Sequence, residues 1–167
     1  MAVKSNPTAW GNLILELATA EATGEMPKAL EQLGWILENS ISLDVQRGTK
    51  MELKETGSIV RDSMESEPTI TVGMDIIGIP TAMRTKFWDA EDKEGKTRVK
   101  SLVTSSKFGI KISNPAVKGS DTIEIPKASV FMSPVLSDDK GYTAKLEFTI
   151  LKSEAEYLFD MGTVASE

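Results

Sequence analysis

Apolar and polar residues alternate through much of this chain, most clearly between Ile36 and Ile77. Ser40–Gln46 and Thr69–Ile76 change character at almost every step, the period of a half-buried strand whose successive side chains face opposite ways. One set, Ile41, Leu43, Val45, Met51, Leu53, Ile70, Val72, Met74 and Ile76, is expected to fill one core. The other set, Ser42, Asp44, Gln46, Glu52, Thr69, Thr71 and Asp75, is expected to form a continuous wet face. A turn at Arg47-Gly48-Thr49 suits a hairpin, with Lys50–Leu53 as the partner strand. Lys54–Pro68 then reads as a polar loop, long for a hairpin connection.

The same pattern organises the rest. Gly11–Leu17 predicts a first strand, with Leu13, Leu15 and Leu17 on one face. Ala18–Pro27 reads as a loop, although Ala18–Ala22 is helical on propensity alone. Lys28–Gly34 predicts one helical turn stopped by Gly34. Thr81 is a candidate cap for a short helix to Trp88, with Met83 and Phe87 four apart on one side. Asp89–Lys96 reads as a charged turn. Strands follow at Thr97–Val103, Phe108–Ile112, Asp121–Ile125, Ala128–Met132 and Tyr142–Ile150, with Pro126 marking an edge or a bulge. The residues from Glu154 onward read as a fraying tail, like the N-terminus. About eight short strands with regular turns predict a mainly β chain: an antiparallel sandwich or barrel with one short flanking helix, a single domain over residues 1–167.

Composition narrows the chemistry. The 167 residues carry a net charge of −6, which opposes a surface that grips nucleic acid. There is no cysteine and no histidine. Disulfides, thiolate sites and histidine acid–base chemistry are excluded, and a metal site would have to be built from oxygen ligands. No glycine-rich phosphate loop, nucleophile elbow or metal-ligand spacing is present. The paired acids Asp138-Asp139 and Glu91-Asp92 sit in expected turns, where solvation is the ordinary role. No enzyme activity, metal or cofactor is expected. No run approaches a membrane span or a signal peptide, so a cytoplasmic origin without membrane attachment is expected.

Two features admit two readings each. Trp10, Trp35 and Trp88 either plug the rims of a core or form a platform for sugar stacking. Ile59, Val60 and Met64, apolar residues in the 54–68 loop, either fold back on their own domain or dock on another subunit.

The order of these segments resembles the bacteriophage tail tube (major tail) proteins, a family shared with the inner tubes of contractile injection systems. The likeness rests on several stretches. They are the Leu13–Leu17 strand, the segment ending at Leu33-Gly34, the Ser40–Gln46 and Lys50–Leu53 strands, the long loop, and Thr69–Ile77 leading to a short helix. The closing stretches Ile125–Val130, Ser133–Asp139 and Tyr142–Phe148 complete it. The resemblance implies six-fold rings that stack into a tube, in which one sheet of each subunit joins its neighbours around a lumen and the long loop reaches the adjacent ring. It implies self-association, contact with tape-measure and baseplate or terminator proteins, and a place in the virion tail after assembly in the bacterial cytoplasm. DNA would pass without specific binding. Ser42, Asp44, Gln46, Lys50, Glu52, Thr69, Thr71 and Asp75 are then candidates for the lumen, and Ile59, Val60 and Met64 for the ring-to-ring contact. The alternative is a β-sandwich module binding carbohydrate or protein through the tryptophans and Tyr142.

Overall fold

The computed structural model describes residues 11–139 and 141–163. Thirteen strands and one helix succeed each other along them. The strands are β1 (Ile14–Thr19), β2 (Glu31–Gln32), β3 (Trp35–Ile36), β4 (Ser42–Gln46), β5 (Lys50–Lys54), β6 (Val60–Glu65) and β7 (Thr69–Ile77). After α1 (Thr81–Phe87) come β8 (Asp89–Lys93), β9 (Lys96–Ser101), β10 (Lys107–Ser113), β11 (Thr122–Ser137), β12 (Gly141–Ile150) and β13 (Asp160–Gly162). The chain is mainly β, antiparallel, with one short flanking helix, as the periodicity requires.

Nine strands form one sheet, ordered β2-β1-β10-β11-β12-β7-β3, with β4 also on β7 and β13 on β11. Its inner face buries Leu15, Leu17, Phe108, Ile110, Ile125, Met132, Leu146, Phe148, Val72 and Met74 in one cluster. The strict alternation of β7 and β12 is what makes this possible, because every second side chain points inward. The helix closes the cluster with Met83 and Phe87, and Phe87 meets Phe108 with ring centroids 5.2 Å apart. Trp88 is buried, and its indole N–H donates to the Met132 carbonyl at 2.8 Å. β10 pairs with β11 only as far as Ser129, so this bond satisfies a β11 carbonyl that the ladder leaves open.

Several expectations need correction. Lys28–Gly34 is not helical. The run is too short to nucleate a helix alone. Its Glu31–Gln32 part pairs with β1 instead, with Leu33 buried and its amide bonded to the Leu15 carbonyl. Gly34 is required for another reason: its φ is +117°, and a side chain there would press on the Ile77 carbonyl. Thr81 does not cap α1, since Pro80 occupies the cap position without a side-chain bond. Asp89–Lys96 is the first strand and the turn of a hairpin that runs to Ser101, and the turn, Glu94-Gly95, takes two positive φ values. The two strands expected around Pro126 are one long strand, bulged against β10 between Phe108 and Ile110.

Phe87→Ala should destabilise the protein by about 3–5 kcal/mol, since the ring is fully buried in the core cluster. Met51→Ala, on a strand outside the cluster, should stay within about 0.5 kcal/mol. Urea denaturation of both variants checks the contrast.

Candidate assembly surfaces

Arg47-Gly48-Thr49 is not a hairpin turn, and Lys50–Leu53 does not pair with Ser40–Gln46. The chain runs straight on. β4 pairs with β7, with Gln46 opposite Thr69; β5 pairs with β6, with Lys50 opposite Glu65. Three residues on each strand separate these pairs, so the register continues unbroken across the gap. Lys54–Pro68 is therefore not a loop. It contains β6 and the Glu55–Ile59 turn, closed by Glu55 N–H to Ile59 O at 3.0 Å and Ser58 N–H to Glu55 O at 3.1 Å. Together β5 and β6 form an arm projecting past the sheet.

Gly48 makes the neck of the arm. A Cβ there would overlap the Ser66 carbonyl, so a close crossing of backbones, not a positive φ, calls for glycine. Ser66 ties the neck from the other side, donating its amide to the Thr49 carbonyl at 3.0 Å and accepting the Thr49 amide on Oγ at 2.8 Å.

Unbroken register keeps the two faces of the ribbon distinct. The polar face holds Ser42, Asp44 and Gln46 opposite Gly73, Thr71 and Thr69, then Lys50 and Glu52 opposite Glu65 and Ser63. Asp75 lies on the same face opposite Lys145, and the row continues through Glu147 and Thr149 on β12. All eight polar candidates thus share one face, six on the sheet and two on the arm. Its charge is mixed, not uniformly acidic. On the arm, Glu52 bridges Lys50 at 2.7 Å and Lys54 at 3.2 Å, Arg61 meets Glu55 at 2.7 Å, and Arg47 forks onto Glu65. Lys50, then Lys54, holds the Glu52 carboxyl below its ordinary value, and Arg47 does the same to Glu65.

The opposite face runs out of core. Ile70, Val72, Met74 and Ile76 are buried and Ile41 packs against them, but Leu43 and Val45 are exposed. On the arm Met51 is 59% exposed and Leu53 and Met64 are 68% exposed. Met51 and Met64 stand directly opposite each other, while Ile59 and Val60 lie exposed at the tip. The expectation that Met51 and Leu53 fill the core is thus overturned. Periodicity places residues on a face and does not say where the covering layer ends. Ile59, Val60 and Met64 do not fold back on the domain.

A second exposed apolar group went unnoticed in the sequence. Past the cluster, β11 and β12 continue as a hairpin bearing Val135, Leu136 and Tyr142, with Arg84 stacked 5.3 Å from the centre of the Tyr142 ring. The run Pro134-Val135-Leu136 broke the alternation and was the available signal. Of the tryptophans, Trp35 is 69% exposed on an edge strand, against the expected rim-plugging role, while Trp88 is interior and unavailable for stacking on a ligand. Trp10 lies outside the described residues.

No group of three or more acidic side chains able to hold a metal occurs among the described residues, and no helix among them is long and apolar enough to cross a membrane. No protein-family model matches the chain, and comparison with curated proteins returns no relative.

The lowered Glu52 and Glu65 carboxyls set the sign of a pH effect. Their contribution to arm order is complete above the unfolded carboxyl value of about 4.3 and is lost as pH falls through the lower folded values. Amide NMR signals of residues 50–65 should therefore broaden below about pH 4 before those of β7 and β12 change. Gly48→Ala should do the same at neutral pH, leaving the core melting temperature within about 2 °C. Unchanged arm signals in both experiments would contradict this account of the neck and its ion pairs.

Proposed function

We propose that the protein is a structural subunit of a phage tail tube, assembling with itself into stacked rings. The observation that carries this reading is the arm: a registered two-stranded ribbon whose apolar face leaves its own core and stays uncovered. Apolar stripes of this extent on soluble chains mark contacts with another molecule. The order of segments that resembles the tail tube family supports the same reading, and the chain has neither the histidine nor the cysteine on which catalysis is commonly built.

In this reading the arm, with Ile59, Val60 and Met64 on it, reaches the neighbouring ring. The polar face of β4, β7 and β12 lines the channel, where side chains without apolar area or net positive charge let DNA slide. Closure into a ring also uses the sheet edges, which otherwise invite uncontrolled pairing. Tape-measure and terminator proteins are the further partners, in the virion tail.

Negative-stain microscopy of concentrated protein should show rings or tubes, and Met64→Lys with Leu53→Lys should abolish them without changing the melting temperature by more than about 2 °C. Asp44→Lys should leave both folding and assembly intact. If the unaltered chain remains monomeric at every concentration and in the presence of pre-formed tube ends, the reading is wrong.

A further inference from the structure

The two halves of the nine-stranded sheet line one groove. Leu13 beside β1, Ile112 on β10 and Ile123 on β11 come from one half, Ile41, Leu43 on β4 and Val72 on β7 from the other, with Ser42 and Asp121 also in the lining, around about 210 Å³. Leu43 belongs both to this groove and to the ribbon that becomes the arm. One apolar surface therefore passes from a concave groove to a convex arm.

The arm does not fill its own groove. From Leu43 to Met51 the extended chain advances about 26 Å in continuous register, carrying the methionine pair away. We infer that the Met51–Met64 pair of one copy seats in the groove of a second copy. This rests on the reading of the arm as an assembly element and names its acceptor.

Charge permits a second copy as the occupant that the assembly reading requires. Arm residues 47–65 hold four basic and four acidic side chains, while the whole chain carries −6. All four basic groups are paired within the arm. Two bodies of like charge repel, whereas a neutral arm approaches such a body without that penalty. Methionine suits the fit, because its unbranched thioether adapts to an irregular apolar gap. An arm-in-groove contact is heterologous: each copy uses a different surface to give and to receive. Copies then add head to tail, closing into rings or extending as a stack according to the rotation.

The lack of native cysteine permits a direct test. Met64→Cys and Ile123→Cys chains, one isotopically labelled, are mixed in equal amounts under mild oxidation and the disulfide dimers weighed by mass spectrometry. The mixed dimer should outnumber the two homodimers together about tenfold, against parity for random pairing. A predominance of Met64→Cys homodimers would mean that arms pair with arms, and a statistical mixture would mean that no such contact exists; either result overturns the inference. Microscopy of the unaltered chain is read separately. Tubes without preferred mixed cross-links would remove the groove as acceptor and leave the tube reading standing. Preferred mixed cross-links without tubes would do the reverse.

Discussion

The structure depends on β7 serving two strands of different kinds. On one side it pairs with β12 through six consecutive positions and shares the central core. On the other it pairs with β4, and that ladder continues through the neck into β5 and β6. The backbone hydrogen bonds need only a partner strand, so they persist beyond the core. Side-chain burial needs a covering layer, so it stops near Leu43. The arm is the consequence of these two ranges being unequal.

This inequality explains what the sequence disclosed and what it withheld. Alternation is a local property, and it placed Val72, Met74, Phe148 and Leu146 on the buried face and Ser42, Asp44 and Thr71 on the wet one. It placed Met51 and Leu53 on the apolar face with equal force, and the structure keeps them there, exposed. Nothing within β5 tells whether a second layer lies above it. The partner of β4 was also hidden. Gly48 resembles a turn glycine, because its actual requirement, the passage of the Ser66 backbone, comes from a segment eighteen residues away. Lys28–Gly34 failed for the related reason that Leu33 gains more from the core beside β1 than from one turn of helix.

The ion pairs of the arm have a distinct role from the core. Each is exposed, so each contributes little to global stability. Their arrangement matters more: Lys50, Glu52 and Lys54 along one strand and Arg47 across to Glu65 hold the polar face of an uncovered ribbon in one geometry. A two-stranded ribbon is marginal alone in water. The sheet at its root and the charges along its face supply order without burying its other side.

An exposed apolar ribbon is ordinarily a hazard, since unpaired edges and apolar faces recruit unwanted strands. Here the hazard is confined. The apolar face uses methionine and leucine in place of the β-branched residues that stack best in fibrils, Ile59 and Val60 at the tip excepted. Four charges of each sign interrupt every apolar neighbour along the sequence from Arg47 to Glu65 except Ile59-Val60. The body, bearing the whole net charge, keeps copies apart at a distance, while screening at physiological salt limits that repulsion to about 8 Å. Contact is therefore permitted at the reach of a neutral arm and opposed between bodies. Such a balance favours one specific geometry over general adhesion, which is the condition that the proposed self-assembly would have to meet.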